Sequence, residues 1–322
     1  MASVTAKPWV ELWFELETRC NLKCPFCYNY WKGGKLPEPS RASTSETVVG
    51  LRRILDSVDC RKMAFSGGEP LLRGDLFELL ATVREFRVPI VLTTNGLLLT
   101  GARLQDLMKA GISHFQVPFH SHQPAIHDLL SGVPCWEKSL RAILMVQSCG
   151  AVITPVFVAT ALNVKHFAAV VGILGQLGLR RVIFNRFIPS GAGERHHQKI
   201  GVPSEGELID AIDGAQGLAR ASRITIELGV PIEVPKDLSA QWTQVSFASC
   251  PVRAGQRRWT IGSDLSIRRC NHSGNNIGHL FGDGVDRLLA ELASSPHEMS
   301  EAEEVRPCQF LHPRALVQIS VC

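Results

Sequence analysis

Short runs of β-branched and aromatic residues alternate with amphipathic stretches through the first two-thirds of the chain. The runs Val10–Leu16, Lys62–Phe65, Pro89–Thr93, His114–Phe119, Val152–Ala159 and Arg181–Phe187 read as strands. Between them, Ser45–Ser57, Asp75–Phe86, Gly101–Ala110, Trp136–Ser148 and Val164–Leu177 read as helices. In the first of these, Val48, Leu51, Ile54 and Leu55 share one helical face. Ser45 and Asp75 are the expected N-caps. Repeated strand–helix alternation predicts parallel strands joined by right-handed crossovers, an α/β fold whose economical form is a partial (β/α)6 barrel. Ile188–Pro203, rich in Gly, Pro and His, reads as a linker before a helix at Ser204–Arg220. From about Gln241 strands shorten and turns multiply. The expected division is a barrel over 1–190, a helical connection over 191–240 and a small α+β subdomain over 241–322.

In parallel α/β folds the chemistry gathers at the C-terminal ends of the strands. Here the first strand is followed by CNLKCPFC (20–27), the second by SGGEP (66–70) and the third by TNG (94–96). The fourth is followed by HSH (120–122), the fifth by Asn163, and NRFIPSGAG (185–193) surrounds the end of the sixth. Every polar or Gly-rich cluster therefore falls on one rim, and one site is expected there.

Composition removes several classes. The 322 residues are 45% hydrophobic and 20% charged, which excludes disorder as the dominant state. Apolar runs such as Ala168–Leu174 are far shorter than the roughly 20 residues a bilayer span needs, so no membrane association is expected. A net charge of +4 without aromatic–basic interleaving gives no nucleic-acid signal. The N-terminus shows no export-signal pattern, so the expected compartment is a reducing cytoplasm. There, the ten cysteines are better read as metal ligands than as disulfides where they cluster.

Cys20, Cys24 and Cys27 form that cluster. Three thiolates on a short loop suit an iron–sulfur cubane that leaves one iron without a protein ligand; the alternative is a zinc knuckle with a distant fourth ligand. Gly67 and Gly68 permit close backbone approach, Glu69 is an acceptor for an ammonium, and Pro70 stiffens the turn. The plainer reading of SGGEP is a simple turn.

CNLKCPFC, with Phe26 and Tyr28 beside Cys27, together with GGEP at 67–70 and six βα units, resembles the radical S-adenosylmethionine (SAM) superfamily over roughly residues 9–190. The resemblance implies a [4Fe-4S] cluster on Cys20, Cys24 and Cys27 whose open iron is chelated by SAM. It further implies reductive cleavage of SAM to a 5′-deoxyadenosyl radical, which takes a hydrogen atom from substrate. An external flavodoxin- or ferredoxin-type electron donor belongs to the same expectation. The expected SAM-binding residues are Gly67, Gly68, Glu69, Pro70, Thr94, Asn95, Ser121, Asn163 and Arg186. His120 is the candidate acid or base, or else lies in a satisfied polar pocket; Arg186 either meets a carboxylate or forms a barrel-interior ion pair.

CPVRAGQRRWTIGSDLSIRRC (250–270) resembles the start of a SPASM or shorter twitch extension, with a hairpin of Trp259–Ile261 and Leu265–Ile267 turning through Gly262-Ser263-Asp264. The resemblance implies one auxiliary iron–sulfur cluster drawn from Cys250, Cys270, Cys308 and Cys322, with His312 as a substitute ligand; scattered buried thiols are the alternative. Cys60, Cys135 and Cys149 carry no spacing signal and are expected in the core. The arginines Arg253, Arg257, Arg258, Arg268 and Arg269 read as a solvated face around that cluster.

The favoured function is a radical SAM oxidoreductase or epimerase acting on a small-molecule biosynthetic intermediate. The segment ahead of Cys20 is too short for a leader-peptide recognition domain, which weighs toward that reading. The alternatives are a ribosomal-peptide maturase forming a cross-link, thioether or epimer, and a non-catalytic iron–sulfur or zinc sensor.

Overall fold

The structure is a computed structural model that describes residues 7–247, 257–282 and 284–294. Cys250, Cys308, Cys322, Arg253 and His312 lie outside the described residues.

The expected alternation is present. The chain runs β1 (Trp9–Glu17), α1 (Thr44–Ser57), β2 (Asp59–Gly67), α2 (Leu76–Glu85), β3 (Ile90–Thr93), α3 (Gly101–Lys109) and β4 (Ile112–Pro118). It continues through α4 (Pro124–Ser131), α5 (Trp136–Ser148), β5 (Val152–Ala159), α6 (Phe167–Gln176) and β6 (Arg181–Arg186). Then come α7 (Ala192–Ile200), α8 (Glu205–Ser222), β7 (Thr225–Leu228), α9 (Lys236–Ser239) and β8 (Val245–Phe247). Last are β9 (Arg258–Ile261), β10 (Ser266–Arg268), β11 (Gly278–His279) and α10 (Gly284–Ser294).

All eleven strands join one sheet in the order β11-β10-β9-β1-β2-β3-β4-β5-β6-β7-β8. Strands β1 to β8 pair in parallel, each beside the next. The predicted C-terminal hairpin forms as β9 and β10, and it is not separate from the barrel. β9 adds in parallel to the free edge of β1, with Trp13 opposite Thr260. The linker expected over 188–203 holds α7, whose sequence AGERHHQKI gave little apolar periodicity to find.

Alternation along the strands divides the sheet into two unlike faces. On β1, Val10, Leu12, Phe14 and Leu16 are fully buried against the helices. The core there includes Leu51 and Ile54 of α1 and Leu79, Leu80 and Val83 of α2. Phe157, Phe167 and Phe184 make a second aromatic centre, with ring centroids 4.6–5.7 Å apart. The opposite, concave face carries polar side chains interspersed with apolar ones such as Trp13, Val91 and Ile183. Register places Glu11, Glu15, Lys62, Ser66, Thr93, Gln116, Thr154, Asn185, Glu227 and Arg258 on it. Simple apolar alternation is the signature of a strand with one wet face, and this lumen was legible only as that alternation.

The two expected N-caps differ in detail. The cap of α1 is Ser43, not Ser45: its Oγ accepts from the Glu46 amide, and the Glu46 carboxylate accepts from the Ser43 amide. This reciprocal pair satisfies two orphan donors at once, which Ser45 inside the first turn is not placed to do. Asp75 precedes α2 but makes no side-chain cap bond. Its carboxylate instead accepts from Arg73 and Thr44.

Candidate functional site

Cys20, Cys24 and Cys27 lie on the loop that leaves β1 and are half-buried free thiols. Four other segments hold this loop in place. From α4, the Ser131 carbonyl accepts from the Lys23 amide at 3.1 Å and from the Cys24 thiol at 3.6 Å. The Asn29 side-chain amide donates to the Gly67 carbonyl at 3.0 Å. The Gly193 amide donates to the Cys27 carbonyl at 3.3 Å. The Asn95 side chain faces Cys20 and Asn21. Thus GGEP, TNG and the loop beyond β6 do meet at the triplet.

The donor chemistry fits a cationic metal group. Burial raises the pKa of all three thiols, and the nearby Cys27 and Cys20 raise that of Cys24 further. Three thiols that resist ionisation partly because of one another are relieved by a shared cation; Lys32 supplies a smaller part of that relief. Cys20, Cys24 and Cys27 are the residues that would hold a cluster.

Gly67 and Gly68 serve the backbone of the neighbouring strand end. Gly67 has φ +127°, and a Cβ there would collide with the Glu17 carbonyl. A Cβ on Gly68 would collide with the carbonyl of Arg19, immediately before Cys20. The two glycines therefore let the second loop press flat against the root of the cysteine loop. Glu69 is buried and receives three hydrogen bonds: Leu71 N–H at 3.0 Å, Thr94 Oγ1–H at 2.7 Å and Asn95 N–H at 2.8 Å. Burial raises its pKa against those donors. A carboxylate has about four acceptor positions, so one remains for a further donor. Pro70 opens the short 3-10 turn that follows.

The next strands bring His120, Ser121, Asn163 and Arg186 to the same rim, each buried. The His120 ring meets Phe26 edge-on at 4.8 Å and lies 5.6 Å from His127. Its Nδ1 accepts from the Val158 amide at 3.3 Å, which leaves the ring proton on Nε2. Burial, with a smaller contribution from His127, pushes its pKa well below the usual value, so the ring is neutral. The Ser121 hydroxyl accepts from the Gln123 amide at 2.9 Å and sits 2.8 Å from His166 Nδ1. Asn163 Nδ2 donates to the His120 and Val158 carbonyls, and its Oδ1 accepts from the amide and hydroxyl of Thr160. Arg186 pairs with Glu205 of α8, leaving its buried Nε without a partner among the described residues.

His127, Asp128 and Cys135 bring ligand-type atoms within 4.8 Å of one another. His127 Nδ1 accepts from the His120 amide, and Asp128 caps the amides of Cys135 and Trp136, so these groups already have structural partners. Cys60 and Cys135 are buried as expected, whereas Cys149 is exposed, because it ends α5 on the solvent side.

At the C-terminal hairpin, Cys270 is the one auxiliary-ligand candidate among the described residues. Its loop packs on the cysteine loop: the His272 ring lies 5.1 Å from Tyr28, and His272 Nδ1 is 2.8 Å from Ser190 Oγ. Among the described residues, Arg258 and Arg268 are not part of a solvated face. Arg268 is buried against Glu15 and lies 4.8 Å over the Tyr30 ring. Arg258 bonds Glu11 at 3.1 Å and covers the Trp13 ring at 4.1 Å. The concave face supplies acidic and aromatic partners that a linear pattern cannot assign to them. Glu15 is a residue of this rim that sequence reasoning did not single out, and Tyr28 and Arg268 were named there without a place on the rim. The available signal was the alternation of β1, in which Glu11, Glu15 and Glu17 share one face while the other is apolar.

Residues 15–164 match the radical SAM superfamily. The chain is 31% identical over 181 residues to the PqqA peptide cyclase of Granulibacter bethesdensis, covering 55% of this chain and 47% of that protein. To the PqqA peptide cyclase of Gluconobacter oxydans it is 25% identical over 241 residues, covering 74% of this chain and 66% of that protein. The chain thus spans only about half to two-thirds of these relatives. Among solved structures, SuiB of Streptococcus suis bound to its precursor peptide SuiA is similar with a TM-score of 0.66 at 17% identity, covering 87% of this chain and 64% of SuiB. A structure of anSMEcpe with bound AdoMet gives 0.66 at 16% identity, covering 89% of this chain and 81% of that one. At such identities the structural likeness speaks for the fold. The cysteine triplet, the GGEP turn and the parallel half-barrel all lie within or overlap the matched region, and residues 15–164 belong to the radical SAM superfamily.

Proposed function

We propose that this chain is a radical SAM enzyme that modifies a peptide. The observation that carries this reading is the 31% identity to a PqqA peptide cyclase over 181 residues. The likeness of fold to SuiB with a precursor peptide agrees with it. These similarities favour the peptide maturase over the small-molecule oxidoreductase or epimerase expected from the sequence.

In this reading Cys20, Cys24 and Cys27 hold a [4Fe-4S] cluster with SAM at its open iron. When bound, the pair supplies the one-electron chemistry that removes a hydrogen atom from a substrate C–H bond. Glu69 offers its remaining acceptor position to the SAM ammonium while keeping Thr94 and Asn95 in place. Asn163 and Ser121, whose polar atoms are already committed, shape the wall rather than bind strongly. His120, neutral and held by Val158, offers an Nε2–H donor and does not store a proton near neutral pH. The polar side chains of the concave face below the rim suit a hydrogen-bonding chain better than an apolar metabolite. Cys270, with Cys250, Cys308 and Cys322, holds an auxiliary cluster that accepts the second electron of a dehydrogenative cross-link. An external flavodoxin or ferredoxin supplies the first electron.

The test uses anaerobically reconstituted, reduced protein with SAM and, as candidate substrate, a short peptide encoded beside the gene. The expected result is 5′-deoxyadenosine together with a peptide lighter by two hydrogens. The Cys20/Cys24/Cys27→Ala protein is expected to keep only auxiliary iron and to form neither product. Product formation from a small metabolite, with the peptide untouched, would return the reading to the small-molecule class.

A further inference from the structure

We propose that Asn95 is a positioning residue that sets the reduction potential of the cluster at Cys20, Cys24 and Cys27, by donating a side-chain N–H to the Cys20 sulfur. The inference rests on the radical SAM reading of the triplet and is independent of the substrate.

The orientation of the Asn95 amide is fixed from several sides. Its Oδ1 accepts from the Leu97 amide at 3.0 Å. Its Nδ2 donates to Asn21 Oδ1 at 2.6 Å and faces Cys20 Sγ at 3.9 Å. The amide nitrogen carries two hydrogens and has two acceptors before it. Flipping the group would set oxygen against oxygen at Asn21 and N–H against N–H at Leu97. The backbone is held as firmly, since Asn95 N–H donates to Glu69 Oε2 at 2.8 Å, and the residue is only 7% exposed.

The three cysteines are not equivalent in this respect. Cys20 Sγ receives a backbone N–H from Leu22 at 3.4 Å in addition to the Asn95 side chain. Cys27 is approached by the backbone of Asn29, and the Cys24 thiol itself donates to the Ser131 carbonyl. Among the described residues, Asn95 is therefore the side-chain amide aimed at a sulfur of the triplet. A thiolate sulfur carries more negative charge when its cluster is reduced. An N–H donor stabilises the reduced state more than the oxidised one and raises the potential. Partial burial strengthens the interaction. TNG thus acts on the metal group and not only as a turn, and Glu69, by holding Asn95, becomes coupled to it.

The experiment is an EPR-monitored redox titration of the reconstituted holoenzyme, following the cluster signal that changes when SAM is added. Asn95→Leu removes the donor, and Asn95→Asp replaces it with a carboxylate oxygen. Both are expected to lower the midpoint potential, Asp more than Leu. Asn21→Ala, which removes the other acceptor but leaves the donor to sulfur, is expected to leave the midpoint where it was. An unchanged midpoint in both Asn95 variants, or an Asn21→Ala shift as large as theirs, overturns the proposal. Should the Asn95 variants lose iron, the decision passes to the wild type. There, labelling only the asparagine side-chain amide with 15N is expected to give a hyperfine coupling to the SAM-sensitive reduced cluster, and absence of that coupling overturns the proposal. A wild type that forms no SAM-sensitive cluster would instead refute the reading of the triplet.

Discussion

Arg268→Met tests the energetics of the barrel's concave face. Glu15 and Arg268 are paired with side chains 0% and 1% exposed, so water cannot replace either partner. Glu15 Oε1 and Arg268 Nε have no other hydrogen-bond partner among the described residues. Removing one member of such a pair leaves an uncompensated buried charge, at a cost of about 3–5 kcal/mol. Burial already raises the Glu15 pKa, and Arg268 is the main opposing influence. Without Arg268 the carboxyl is pushed further up. A carboxyl raised on folding favours the folded state below its unfolded pKa, and that benefit is lost as pH rises through the folded value. The variant should therefore lose more stability at pH 7 than at pH 5. Replacing both partners, in Glu15→Leu with Arg268→Met, removes the buried charge altogether and should return stability to within about 1 kcal/mol of wild type or above it. Urea denaturation of all three proteins at both pH values measures this. A single variant within about 1 kcal/mol of wild type at pH 7, or a double variant as unstable as the single, would refute the reasoning.

Two further outcomes follow from the same structure. Gly68→Ala sets a methyl against the Arg19 carbonyl, next to Cys20, so the two loops must part. It should lower the iron bound at the N-terminal site and abolish SAM cleavage, while Gly74→Ala, which meets nothing within 4 Å, should do neither; iron analysis decides. Burial pushes the Asp75 pKa up, but hydrogen bonds from Arg73 and Thr44 and the Arg73 charge outweigh it and hold it at about 2, below the ordinary 3.8. That pKa difference contributes about 2 kcal/mol, present above the unfolded pKa and lost as pH falls from about 4 to 2. Asp75→Asn should remove this acid-limb dependence, and urea titrations from pH 5 downward test it.

The favoured function illustrates what a motif cannot carry. CNLKCPFC and GGEP specify the reagent because thiolate spacing and a bare glycine pair are local requirements. They do not describe the sheet face opposite the helices, to which β1, β2, β5, β6 and β9 all contribute and which forms only when distant strands pair. The small-molecule reading stood first on the length of the segment ahead of Cys20, a feature that carries no information about the substrate itself. Asn95 shows the same limit at one residue. Its place after a buried strand marked it as a rim group, but only the pairing of β3 beside β2 brings its side-chain amide to 3.9 Å from Cys20 Sγ.

Periodicity and spacing, by themselves, determined the strand–helix alternation, the rim on which polar residues collect and the three thiols of the cluster loop. Each depends on neighbours within a few positions, through pleat, helical turn or loop length. The tertiary structure alone decided which charges are buried, because Glu15 meets Arg268 across 253 positions of chain. It alone decided that the C-terminal hairpin extends the β1 edge, since an open strand edge accepts any strand of matching register and the sequence does not say which arrives.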